Sequence, residues 1–168
     1  LPSLSPSMDI QVSSNFERLL FEILNKDSEK LMHLMKNFEK KNYYDLPQKN
    51  MKILNETFLA FKASDQDIIN TIKKTYDRCK YLLDPHTAVA IFSGKKALKN
   101  KKISNNSPLI TLACAHPAKF PDTILKSLNF RPDNPKKLEN IIKSKENYEV
   151  IENDLEAIKK YILKKMRK

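Results

Sequence analysis

Hydrophobic positions recur along this chain mostly at the helical period. Phe16, Leu19, Leu20, Ile23 and Leu24 share one face and predict a first helix. Ser14, with Glu17 three residues on, fits a capping box and sets the expected start at Ser14. Asp27-Ser28 opens a second helix to about Lys40, with Leu31, Leu34, Met35 and Phe38 inward and His33 on the surface. After a connection over 42–47, a third helix begins near Gln48 and carries Met51, Ile53 and Leu54. Phe58-Leu59-Ala60-Phe61 fits either that helix or a short strand, and periodicity does not decide. Ser64 and Asp67 cap a fourth helix, with Ile68, Ile69, Ile72, Tyr76 and Cys79 on one side. Asp84-Pro85 pairs an N-cap carboxylate with proline at the first helical position, a strong restart. Ala88, Val89 and Phe92 form the apolar side of that fifth helix. Lysines between 95 and 102 read as a solvated, flexible connection. A short helix follows Pro121 and a last one runs from about Asn153 to Lys165, separated by the break Arg131-Pro132-Asp133-Asn134-Pro135.

One stretch departs from this period. Leu109 to Cys114 is a short apolar run with β-branched residues, which predicts a strand buried on both faces, as in a parallel sheet. The expected fold class is therefore α/β, mostly helical, with one strand at about 109–114 and a possible short strand near 58–61. A lone strand leaves its backbone groups without partners. An exposed apolar patch is expected beside it, where further strands would lie. The expected division is a catalytic-region part over 1–130 and a helical tail over 131–168. The chain has no initiator Met, which adds to the expectation that it is cut from something longer.

The end of that strand is where chemistry is expected. Cys114, His116 and Lys119 follow one another around Pro117, and ligands of open α/β sheets bind outside the carboxyl ends of strands. In the first turn after Asp84, the amides at His86 and Thr87 are placed to favour an anion.

Composition narrows the classes. The net charge of +11 invites a nucleic-acid reading, but only four of the 31 basic residues are arginine. Arginine is the residue of bidentate phosphate and base-edge contacts, so a lysine excess over helix surfaces reads as solvation. No nucleic-acid partner is expected. There is no apolar run of the roughly 20 residues that cross a bilayer, so no membrane span is expected either. Cys79 and Cys114 form no paired framework, which suits reduced thiols in the cytoplasm; Cys79 reads as a helix core position. The single glycine, Gly94, cannot build a glycine-rich phosphate loop, so any such cup lies outside these residues.

Three stretches taken in order resemble the threonine synthase family. The first is Leu4-Ser5-Pro6-Ser7-Met8-Asp9-Ile10 running into Ser13-Ser14-Asn15-Phe16-Glu17-Arg18-Leu19-Leu20. The second is Asp84-Pro85-His86-Thr87-Ala88-Val89-Ala90 and the third Ala115-His116-Pro117-Ala118-Lys119-Phe120-Pro121. The resemblance implies the C-terminal portion of a pyridoxal-phosphate enzyme of the tryptophan-synthase-β fold type. That enzyme converts O-phosphohomoserine and water to threonine and phosphate. The family's Schiff-base lysine and cofactor-phosphate cup would lie upstream of Leu1, in an N-terminal part of the same enzyme, and these residues alone would be inactive.

The resemblance also implies roles. A threonine usually precedes the family's Ala-His-Pro signature and faces the pyridine nitrogen of the cofactor; Cys114 stands there in this chain. A thiol is a weaker donor but equally uncharged. The other reading of Cys114 is a small buried strand residue. Lys119, His116, Arg18 and His86 are the candidate holders of the substrate's phosphate and carboxylate. His116 can equally be a histidine satisfied by backbone groups beside Pro117. Glu17 is expected to cap its helix, while Asn15 and Asp9 would shape the site entrance or the domain joint. The alternative to this enzyme is a non-catalytic basic helical module binding nucleic acid or protein.

Overall fold

The computed structural model describes residues 2–10, 12–100, 102–104 and 106–166. It divides into two compact units, Leu1–Asp133 and Asn134–Lys168. Among the described residues every regular element is helical.

The first unit is built on α4 (Asp65–Cys79), α5 (Pro85–Lys99) and α6 (Pro121–Leu128). The start of α4 is the capping box read from the sequence. The Asp67 amide donates to Ser64 Oγ at 3.2 Å, and the Ser64 amide donates to Asp67 Oδ2 at 2.9 Å. The helix stops where Lys80 turns left-handed (φ 56°), which frees the chain to begin α5 at Asp84-Pro85. Ile68 and Ile72 of α4 meet Leu83, Ala88 of α5 and Ile124 of α6 in one buried cluster. Ile68, Ile72 and Ile124 are wholly buried, and burying such a side chain contributes roughly 1.5–3 kcal/mol.

A second group of helices in this unit is α1 (Ser14–Ile23), α2 (Ser28–Lys41) and α3 (Gln48–Thr57). Leu20, Ile23, Leu24 and Leu54 are buried there. Buried Asn50 donates through Nδ2 to the Ile23 carbonyl at 3.0 Å, satisfying an orphan acceptor at the end of α1. The cap of α1 is Ser13, which accepts from the Phe16 amide, and not Ser14 with Glu17. With phenylalanine three residues after the cap, no reciprocal bond is available.

The expected strand at 109–114 is not a strand. No backbone–backbone hydrogen bond joins residues 109–115 to another described residue, so no ladder exists to define one. Ile110 is 82% and Leu112 77% exposed. These exposed apolar side chains belong to the segment itself. Residues 58–61 are also irregular, with Phe58 and Leu59 half-exposed.

Cys79 is exposed and not a core position, because α4 turns its last residues to solvent. The lysines at 95, 96 and 99 belong to α5, which runs five residues beyond Gly94. Leu109 lies against that glycine: a Cβ at residue 94 would meet Leu109 Cδ2 at 2.8 Å.

The second unit holds α7 (Lys136–Lys143) and α8 (Leu155–Met166). α7 is not among the helices expected from the sequence, although Pro135 stands at its cap and Leu138 and Ile141 keep helical spacing. No helix among the described residues is long and apolar enough to cross a membrane.

Candidate functional site

The polar centre of the first unit is one carboxylate. Asp84 is the N-cap of α5 and only 2% exposed. Its Oδ1 accepts from the His86 amide at 2.9 Å, the Thr87 amide at 3.3 Å and His86 Nδ1–H at 3.1 Å. Its Oδ2 accepts from the Thr87 hydroxyl and from the Ala115 amide, the latter at 3.3 Å. Thr87 Oγ1 in turn accepts from the Cys114 amide at 2.9 Å. On the other side, His86 Nε2 accepts from the Ser7 amide at 3.1 Å. An imidazole nitrogen that accepts from an amide carries no proton, so His86 is the neutral Nδ1–H tautomer, oriented by Asp84. Its ring packs edge-on against Phe120, with centroids 4.7 Å apart.

All three sequence signatures thus converge on Asp84: the first through Ser7, the second through its own helix start, the third through the amide of Ala115. Burial pulls the Asp84 carboxyl upward. The Thr87 hydroxyl and the amides of Thr87, His86 and Ala115 outweigh that and hold it below its ordinary value. No buried side-chain nitrogen or oxygen among the described residues lacks a partner.

A cavity of about 400 Å³ adjoins this hub, lined by Leu83, Asp84, Thr87, Ala113, Ala115 and His116 among others. His116 caps the short turn Pro117–Lys119, accepting the Ala118 amide on Nδ1 at 3.2 Å. Its Nδ1 is therefore engaged by the backbone. Cys114 is exposed rather than buried, with its thiol 3.6 Å from the Leu112 carbonyl. Lys119 is exposed on the same turn. Arg18 is apart from this cluster, in a separate cleft with Glu17, Phe21, Glu22 and Leu31. His86 is 2% exposed, and the two amides expected to meet an anion at this helix start are spent on Asp84. Asp9 closes its own loop, accepting the Ser3 amide at 2.7 Å and the Ser3 hydroxyl at 2.9 Å. Asn15 is exposed on α1.

Sequence reading missed Asp84 and Thr87 as more than a helix start. The available signal was Thr87, a hydroxyl three residues after an acidic cap, where it can reach both the carboxylate and a neighbouring segment. Among the described residues no group of three or more His, Cys, Asp or Glu is arranged to hold a metal ion.

Polar signatures from distant parts of the chain gather on one carboxylate, beside a cavity that His116 helps to line. Residues 87–162 match the family described as threonine synthase, C-terminal. Threonine synthase of Pseudomonas aeruginosa is 33% identical over 162 residues, covering 96% of this chain and 34% of that protein. Among solved structures, the pyridoxal-phosphate-bound threonine synthase of Brucella melitensis superposes with a TM-score of 0.82 at 33% identity, over 96% of this chain and 34% of that one. Yeast threonine synthase gives 0.81 at 28% identity, over 99% and 37% respectively. The chain is similar to threonine synthases along nearly its whole length, and its second half matches the C-terminal model of that family. It spans about a third of the length of the relatives it matches.

Proposed function

We propose that these residues form the C-terminal portion of a threonine synthase, which converts O-phosphohomoserine and water to threonine and phosphate with pyridoxal phosphate as cofactor. The observation that supports this most is the likeness in fold, over 96% of the chain, to a threonine synthase that holds that cofactor.

The residues present suit one part of the cofactor. Cys114 offers an exposed, uncharged thiol on a backbone fixed by Thr87. An uncharged partner leaves a pyridine nitrogen unprotonated, whereas a carboxylate there would favour its protonation. The only glycine, Gly94, lies inside α5, so the cofactor's phosphate is left to the remaining two thirds of the enzyme. When bound, pyridoxal phosphate supplies an electron sink for negative charge developing on the substrate carbons. Phosphate leaves from the γ-carbon and water adds at the β-carbon. Lys119 is the candidate cation for a substrate anion, and His116, with Nδ1 accepting, presents Nε2–H as a donor. Arg18 and His86 are weaker candidates, the first for its separate cleft and the second for its burial.

The full-length enzyme containing these residues should bind pyridoxal phosphate and release inorganic phosphate from O-phosphohomoserine, while residues 1–168 alone should do neither. Full-length Lys119→Ala should raise KM for the substrate by about tenfold or more, as loss of a charged contact of roughly 1.5–3 kcal/mol requires. Turnover within a few-fold of wild type in both Lys119→Ala and His116→Ala would remove both residues from the site.

A further inference from the structure

We propose that Thr87, held by Asp84, is the positioning residue for Cys114 in the assembled enzyme: it fixes the backbone from which that thiol reaches the cofactor. The inference rests on the assignment of Cys114 to the cofactor made above.

The segment 109–115 has no backbone ladder among the described residues. Its polar tethers to the helical body are two consecutive amides, Cys114 to Thr87 Oγ1 at 2.9 Å and Ala115 to Asp84 Oδ2 at 3.3 Å. Both acceptors sit at the start of α5, where Pro85 fixes the backbone and where Asp84 and Thr87 are almost fully buried. Thr87 uses its hydroxyl in both senses. It donates to Asp84 and accepts from Cys114. Capping α5 needs neither of these bonds, because Asp84 accepts the His86 and Thr87 amides directly. The second has no purpose within the helix, and it acts on the residue whose side chain is exposed at the turn into the third signature. The hydroxyl stands 27 residues from Cys114 in sequence, so the contact is tertiary and not a by-product of local turn geometry. Serine can make both bonds; valine, nearly the same shape, can make neither.

The test uses the full-length enzyme with and without pyridoxal phosphate. Cys114 alkylation by iodoacetamide is followed on the tryptic peptide running from Ile103 to Lys119, which contains no other cysteine. Wild-type Cys114 should be alkylated more slowly when the cofactor is bound. Thr87→Val should lose that protection, and its kcat should fall on the order of 10²-fold, the usual cost of a misplacement near 1 Å, while KM changes little. Thr87→Ser should recover both the protection and the turnover, an outcome that general loss of stability does not give. Thr87→Ala, which adds no apolar branch, carries the same test where the valine variant does not fold. Equal alkylation of wild-type Cys114 with and without cofactor would overturn the assignment of Cys114 itself. Protection in wild type that persists in Thr87→Val with kcat unchanged would overturn the positioning role alone.

Discussion

Asp84 accepts five hydrogen bonds while almost fully buried, and its charge state is therefore coupled to folding. Its carboxyl is held below the ordinary value, although burial alone would raise it. A carboxylate depressed in this way stabilises the fold in full above its unfolded pKa of about 3.9 and loses that contribution as pH falls through the lower folded value. Asp84→Asn should be less stable than wild type at neutral pH, and its stability should depend less on acidity below about pH 4. Urea unfolding followed from neutral to acid pH measures both; parallel acid limbs would contradict the account. Thr87→Val leaves the part-buried Cys114 amide without its acceptor and removes one donor to buried Asp84, which should cost about 1–3 kcal/mol.

At the scale of elements, the helix starts were readable because each is written within a few residues. Ser64 with Asp67, Asp27 with Lys30 and Asp84 with the amides of His86 and Thr87 are local hydrogen-bond patterns, and the helices begin there. Ser13 and Ser14 show the limit of this, since two adjacent serines compete for one cap and only backbone geometry chooses. Leu109–Cys114 was misread for a different reason. An apolar run announces burial but not what buries it, and a strand exists only with a partner. The hub is only half legible: the bonds among Asp84, His86 and Thr87 are local, but those that bring in Ser7, Cys114 and Ala115 join residues 27 to 79 positions apart. Ile72→Ala, in the wholly buried layer between α4 and its neighbours, should cost about 2–5 kcal/mol by equilibrium unfolding. Gly94→Ala should gain up to about 1 kcal/mol of helix propensity. Against this, the added methyl crowds the end of the half-exposed Leu109 side chain, which can turn aside. The net change should be under about 1 kcal/mol in either direction; a loss of several kcal/mol would mean that Leu109 is fixed and the segment after it displaced.

At the scale of the molecule, Ile10, Val12, Ile110 and Leu112 expose between 63% and 82% of their surface. Apolar exposure on that scale marks an interaction surface or an aggregation risk. If the rest of the enzyme covers these side chains, residues 1–168 alone should bind a hydrophobic dye more strongly, per molecule, than the full-length protein. The central claim is the reaction, and it is tested most directly by running the full-length enzyme on O-phosphohomoserine in water enriched in heavy oxygen. A synthase breaks the carbon–oxygen bond, so the account predicts label in the hydroxyl of threonine and none in the phosphate released. Labelled phosphate accompanied by homoserine would reveal simple ester hydrolysis and contradict it.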